Sequence, residues 1–559
     1  MTEPAPRFDL LIRGGTVYDP ANGVDGASRD LWIHDGRIVS APILPDARPA
    51  RVIEARGRVV MPGGVDMHCH IAGSKVNLAR KMQPDAARDG EPEPERRSLR
   101  SGSGGQIPST FATGYRYAGL GYTTAFDAAI QPLAARHVHQ ELADTPCIDK
   151  GFYVLAGNSH FLMQRLAAGE LDEARDFLAW LLNATKAHAL KLVNPGGIEM
   201  WKQLRAGNVA SIDDVVGHFG VTPRTIVTQA ARLATELQLP HAVHIHANHL
   251  GVPGNWQTTL ETMRAVDGAR AHFTHIQFHS YGGSDEASLS SAAAELVEYV
   301  DAHKNLTVDV GQVLFGRTTS MTGDGPLGHF LHQVYGGKWY SADIEQESGC
   351  GIVPIEYKEK SLVHAWQWAI GLEWHLLMRD PWRVAMSTDH PNGGSFLAYP
   401  QIIRLLMDRE YRQSMLKQVH AVVREKSLLA TLNREYTLGE ICIITRAAPA
   451  RMLGLKHKGH LGVGADADVT IYDPGNDPAA MFSLPRYVIK AGQVLIDDGE
   501  LRESAPGNTL FAAPEYDDKI EMRLADWFER RYSVRMANFP VALDEIESPC
   551  QIACHQPGG

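Results

Sequence analysis

Between Met61 and His70 the chain reads MPGGVDMHCH, and its closing His-Cys-His is where chemistry is first in prospect. A Pro-Gly-Gly turn leads into the short apolar run Val65 to His70, which reads as a buried strand. Side chains alternate along a strand, so His68 and His70 share one face and Cys69 points the other way. Two imidazoles on one face at a strand end can grip a cation, and zinc-like metals favour nitrogen. The same spacing also describes two ordinary strand histidines, so the weight falls on whether other strand ends supply matching groups.

They do. Lys191 lies in HALKLVNPGG, His246 in HAVHIHANH, His275 in THIQFH and Asp389 in MSTDHPNGG, each at or near the end of an apolar run. An ammonium is costly to bury, and burial beside metal charge lowers a lysine's pKa. A neutral Lys191 amine can take up carbon dioxide to give a carbamate, an oxygen ligand able to bridge two cations; the alternative is a lysine whose head group snorkels to water. Asp389 is a candidate metal ligand and proton carrier, accepting a proton from a metal-activated water and handing it to a departing amine. Six ligand-type residues exceed the four of one tetrahedral zinc site, which implies two ions. Asn248, His249, His279 and His390 adjoin these positions and are candidate cofactor or substrate contacts, with structural roles as the alternative. His244 alternates in phase with His246, and the later residue sits nearer the strand end.

Positioning such a set takes a repeated scaffold. Eight short apolar runs, 65–70, 122–127, 152–156, 189–193, 242–246, 272–276, 306–310 and 384–388, alternate with helix-like stretches such as ARDFLAWLLNATKAH and VTPRTIVTQAARLATEL. Eight strand–helix units predict a (β/α)8 TIM-like barrel over residues 63–448, with functional groups at the C-terminal strand ends. Residues 1–62 and 449–502 share a texture of short strands and turns, including Gly14-Gly15 and Asp35-Gly36 as hairpin turns, and are expected to form one small β-sandwich domain split by the barrel. Residues 80–108 read as an exposed, mobile excursion over the barrel mouth and 311–360 as a second long connection, both candidate lids. The extension 503–559 opens polar, turns helix-like around 518–531 and ends in a loose SPCQIACHQPGG, whose Cys550, Cys554 and His555 read as a frayed end rather than a metal site.

At 559 residues the chain has room for two or three domains, and a net charge of −11 argues against wholesale nucleic-acid binding. No apolar run is long enough to span a bilayer and no signal peptide is apparent. Six cysteines in this length are no disulfide framework, so a cytoplasmic setting is expected.

The strand-end His-x-His, the lysine of the fourth strand, single histidines on the fifth and sixth, and an aspartate on the eighth resemble the amidohydrolase superfamily. PGGVDMHCHIAGSKVN, PSTFATGYRYAGLGYTTA, LKLVNPGG, HIHANHLGVPGN, THIQFHSYGG, MTGDGP, QWAIGLEW and GHLGVGADAD resemble a narrower family, the A subunits of formylmethanofuran dehydrogenases and formyltransferase/hydrolase complexes. The resemblance runs from about residue 8 to 500. It implies two zinc ions held by His68, His70, His246, His275 and Asp389 and bridged by carboxylated Lys191, with Lys191 and Asp389 central to catalysis. It departs at His249, where the family has an acid, and at His390. The implied activity is hydrolysis of N-formylmethanofuran (methylofuran) to formate and the free amine, in one-carbon metabolism, alongside other subunits of a formyltransferase/hydrolase complex. Alternatives are the A subunit of a tungsten or molybdenum dehydrogenase condensing formate with methanofuran, a hydantoinase-like cyclic amidohydrolase, and a non-catalytic assembly subunit. Arginine outnumbers lysine 38 to 16, which leans towards the bacterial hydrolase.

Overall fold

The computed structural model describes residues 7–42, 48–89, 99–204, 209–342 and 350–554. Its framework is a ring of eight parallel strands: Gly64–Cys69, Tyr122–Ile130, Asp149–Leu155, Ala189–Val193, Val243–His246, Ala271–Phe273, Leu306–Asp309 and Val384–Ala385. Each is hydrogen-bonded to its neighbour in sequence. The ring closes where a lone parallel bridge joins Cys69 to His390 and the His70 amide donates to the His390 carbonyl at 2.7 Å. Strands covered on both faces need continuous apolar runs, and almost every strand residue here is buried. Helices such as Leu171–Thr185 and Pro223–Glu236 form the outer layer; the second starts at Thr222, whose hydroxyl accepts from the Thr225 amide, with Pro223 in the first turn.

The segments flanking the barrel, 7–62 and 469–501, meet in one continuous nine-stranded mixed sheet. Strand Val59–Pro62 pairs antiparallel with Val469–Tyr472 and so joins the two halves. Asp35-Gly36 is the expected hairpin turn, both residues at positive φ. Gly14-Gly15 is not a turn. It lies inside strand Arg7–Asp19, at a break in register between Ile12 and Gly15, where Gly14 takes a φ of +67°. The break lets one strand pair with Arg48–Glu54 over its first half and with Val59–Pro62 over its second.

Above the barrel, Gly316–Thr322, Tyr340–Ala342 and Cys350–Tyr357 form a three-stranded sheet that carries helix Gly325–Tyr335. Helix Ser74–Met82 meets it through an apolar cluster of Val76, Ala79, Ile107, Met321 and Ile352. The stretch expected as an exposed excursion is therefore packed where it is described: Ile107 lies against the lid sheet, and Leu99 is buried against Tyr115, Cys147 and Leu495. Residues 90–98 and 343–349 of the two expected lids lie outside the described residues.

The C-terminal extension is not loose. Thr509–Ala512 adds to the edge of the third barrel strand and Pro549–Ile552 pairs with it in parallel. Helix Ile520–Arg531 buries Leu524 and Phe528, the latter edge-on to Trp180 and Phe539. His555 lies outside the described residues. Among the described residues no helix is long and apolar enough to cross a membrane.

Candidate metal centre

The C-terminal strand ends open into a cavity of about 750 Å³, based on His68, His70, Lys191, His246, His275 and Asp389. Its upper wall is apolar and comes mainly from the lid, including Met321, Leu327, Phe330, Val334 and Tyr357. His275 and Asp389 follow their strands in left-handed conformation, at φ of 34° and 51°, and so turn their side chains in from the strand ends. Beneath His275 the chain passes through Gly311, where a Cβ would lie 2.5 Å from the His275 Cβ; only glycine fits this approach.

Asp389 is the meeting point. Its Oδ1 lies 2.9 Å from His68 Nε2 and 2.9 Å from His70 Nε2. Burial alone would raise this carboxyl, but the His68 and His275 rings beside it, with the hydrogen bond to His70, hold it well below the usual carboxylate range. Burial pushes Lys191 down to about 7, against the opposing pull of Asp309 and Asp389. Its Nζ is fully buried and has no hydrogen-bond partner. His246 and His275 stand with ring centroids 4.8 Å apart and nearly perpendicular, both shifted down by burial.

Three carboxylates that the strand reading passed over shape this set. Asp309, at the end of the seventh strand, faces His68 Nδ1 at 3.3 Å and also accepts from His272, Ser387 and the His275 amide. Asp127, in the second strand, lies 3.6 Å from His70 Nδ1 and accepts from the Ile71 and Ala72 amides. Asp324 reaches down from the lid to within 3.3 Å of His246 Nε2, held by Asn194 and capping helix Gly325–Tyr335. Alternation could have pointed to Asp127 and Asp309, which end apolar runs; nothing local marks Asp324 beyond its place in MTGDGP.

The adjoining candidates divide. His249 lines the cavity, its Nδ1 3.0 Å from Thr258 Oγ1. Asn248 is turned away, donating to Asn194 and the Pro195 carbonyl. His390 packs its ring edge-on against Phe396 and contributes its carbonyl to barrel closure rather than a side chain to the cavity. His279 is buried behind His246 and His275, both ring nitrogens without a partner, and the three could together hold an ion. Of the fifth-strand histidines, His246 lines the cavity, whereas His244 lies below it, its Nε2 3.0 Å from His68 Nδ1.

The residues present suit a cation. His275 Nδ1 and Lys191 Nζ are buried without hydrogen-bond partners beside the Asp389 carboxylate, and unmet buried nitrogens of this kind are rare unless something binds them. His68, His275 and Asp389 present ligand atoms within 4.8 Å of one another, as do His246, His275 and His279.

A family model described as the amidohydrolase family matches residues 51–496. The chain is 43% identical to Protein FwdA of Methanocaldococcus jannaschii, over 97% of this chain and 98% of that protein. It is 39% identical to the A subunit of the formyltransferase/hydrolase complex Fhc of Methylorubrum extorquens, over 95% of this chain and 96% of that one. The crystal structure of the FhcABCD complex of Methylorubrum extorquens with methylofuran contains a chain that superposes with a TM-score of 0.89 at 36% identity, covering 97% of this chain and 100% of that one.

Proposed function

This chain belongs to the amidohydrolase family, within the group of the two A-type proteins just described, and on that footing we propose that it hydrolyses N-formylmethanofuran or its methylofuran relative to formate and the free amine. The observation that carries the reading is Asp389 Oδ1 placed 2.9 Å from both His68 and His70 at the base of a large, mostly apolar cavity. His68, His70 and Asp389 on one side, His246 and His275 on the other, and carboxylated Lys191 between them would hold two zinc ions, which supply Lewis acidity and an acidified water. Asp389, kept ionised by its neighbours, accepts the proton of the attacking water and returns it to the leaving nitrogen. A formyl group is small, so selection falls to the amine side, where His249 and the apolar lid residues Met321, Phe330 and Tyr357 face the cavity. The chain works in the cytoplasm as one member of a formyltransferase/hydrolase complex.

The deciding assay gives the purified native complex formylated cofactor with no electron acceptor and measures formate. Release is expected, and should vanish on chelation or in Lys191→Ala. Asp389→Asn, at full metal content, should lose about 10²–10⁴-fold in rate. Release that depends on an electron acceptor would move the chain to the second reading, the A subunit of a dehydrogenase. Turnover of hydantoin rings without the formyl amide would overturn both.

A further inference from the structure

Beneath the cavity, two histidines that the proposed chemistry does not use connect His68 to a backbone carbonyl. His241 Nδ1 lies 2.8 Å from the carbonyl oxygen of Met452, at the C-terminal end of helix Ala448–Met452. His241 Nε2 lies 3.0 Å from His244 Nδ1, and His244 Nε2 lies 3.0 Å from His68 Nδ1. All three rings are at most 1% exposed.

The hydrogens of this chain are not free to choose. A carbonyl only accepts, so His241 Nδ1 must carry the hydrogen. A neutral imidazole has one donor and one acceptor, so His241 Nε2 is then a lone pair, and His244 Nδ1 must be the donor facing it. The same step passes on: His244 Nε2 is a lone pair, and His68 Nδ1 carries the hydrogen it accepts. His68 Nε2 is left as a lone pair, aimed at the cavity where Asp389 lies 2.9 Å away. Thr274 Oγ1 and Asp309 Oδ2 also flank His68 Nδ1, so that hydrogen has acceptors on several sides.

We propose that His241 and His244 are positioning residues that transmit the polarity of the Met452 carbonyl through two imidazoles and hold His68 in the one tautomer able to ligate a metal through Nε2. The statement about His241 and His244 stands on hydrogen-bond geometry alone. Its consequence for His68 rests on the metal-centre reading above. Because Met452 ends the helix leading out of the barrel towards the small sheet, the relay ties the ligand's chemistry to the barrel floor.

The test is the nitrogen-15 spectrum of histidine-labelled full-length protein, metal-free and zinc-loaded, assigned with single histidine variants. His241 and His244 should both show the Nδ1–H tautomer in both states. An Nε2–H tautomer, or a charged ring, at either position overturns the proposal. A second arm measures zinc affinity by chelator competition. His244→Phe should weaken zinc binding by about 10–100-fold. His244→Gln should restore it to within a few fold, because its amide oxygen accepts from His68 while its NH₂ donates to His241. Equal affinities in wild type and His244→Phe would show that Asp309 and Thr274 suffice, and would overturn the relay. If the wild type binds no zinc, the metal-centre reading fails, and the tautomers of His241 and His244 still decide the relay.

Discussion

Lys191 faces the hardest physical demand in the cavity: a primary amine, fully buried, with no hydrogen-bond partner and a pKa brought down to about 7. A carbamate on Nζ would answer that demand by turning an unmet donor into an anionic ligand. Carbon-13 bicarbonate labelling of metal-loaded protein should give one carbamate resonance that Lys191→Ala removes; an unmodified amine in active protein would refute the bridge. A second buried titratable group speaks to stability instead. Burial raises Glu373 to about 7 from 4.5, although the Ser291 hydroxyl and the Leu428 amide donate to it. The folded state therefore keeps a proton between pH 4.5 and about 7 that the unfolded chain has released. Stability from this group is whole below pH 4.5 and is lost as pH rises through 7, by up to roughly 3 kcal/mol. Glu373→Gln should abolish that part of the pH slope in denaturant unfolding between pH 5 and 8; parallel profiles would mean the carboxyl is not held neutral. At this scale the sequence pointed to His68, His70, Lys191, His246, His275 and Asp389, which line one cavity, because strand ends have a direction that alternation reveals. Asp309 ends an apolar run and was open to the same reading, whereas Asp324 stayed hidden because it comes from the loop before helix Gly325–Tyr335 and meets His246 only in the folded chain.

Helix Ile520–Arg531 shows how an element earns its place by one face. Leu524 is fully buried and Phe528 nearly so, against Trp180 on the barrel's outer layer and Phe539 of the tail itself. Leu524→Ala should cost about 2–5 kcal/mol in chemical unfolding. A change under about 0.5 kcal/mol, the usual range for a surface site, would mean the extension is not docked. The eight barrel strands were legible because parallel strands buried on both faces must be continuous apolar runs bounded by turns. The closing strands of the tail and the lid sheet were not. Pro549–Ile552 alternates exposed and half-buried residues and acquires its identity only from Thr509–Ala512 beside it. Gly14-Gly15 misled for a related reason: two glycines mark a turn and a bulge alike, and only the pairing of strand Arg7–Asp19 on both edges, with Val24–His34 on one and Arg48–Glu54 and Val59–Pro62 on the other, distinguishes them.

Across the whole molecule, barrel, small sheet and tail meet at one buried ionic cluster. Asp149, from the third barrel strand, pairs with Lys458 and, at 2.8 Å, with Lys490 of the small sheet, and accepts from the Asn508 amide at 2.6 Å. Asp468 pairs with both lysines. Asp149→Ala leaves Lys490 with Asp468 and Lys458 with Asp468 and Asp466 as remaining counter-charges, and should cost about 3–5 kcal/mol. Calorimetry should show the loss in the main unfolding transition; an unchanged transition would mean the junction carries no stability. Barrel closure at Cys69 and His390 has a consequence for how the protein is made. More than three hundred residues separate His70 from Asp389, and strand Val59–Pro62 waits still longer for Val469–Tyr472. At about 5–20 residues per second a ribosome needs roughly 15–60 s to cross the first interval. Throughout that time the nascent chain displays a His-x-His pair with no carboxylate to complete it and a sheet edge with no neighbour. A metal centre built on these residues would therefore assemble only after Asp389 is made, and the beginning of the chain is the part that most needs sheltering while the rest is synthesised.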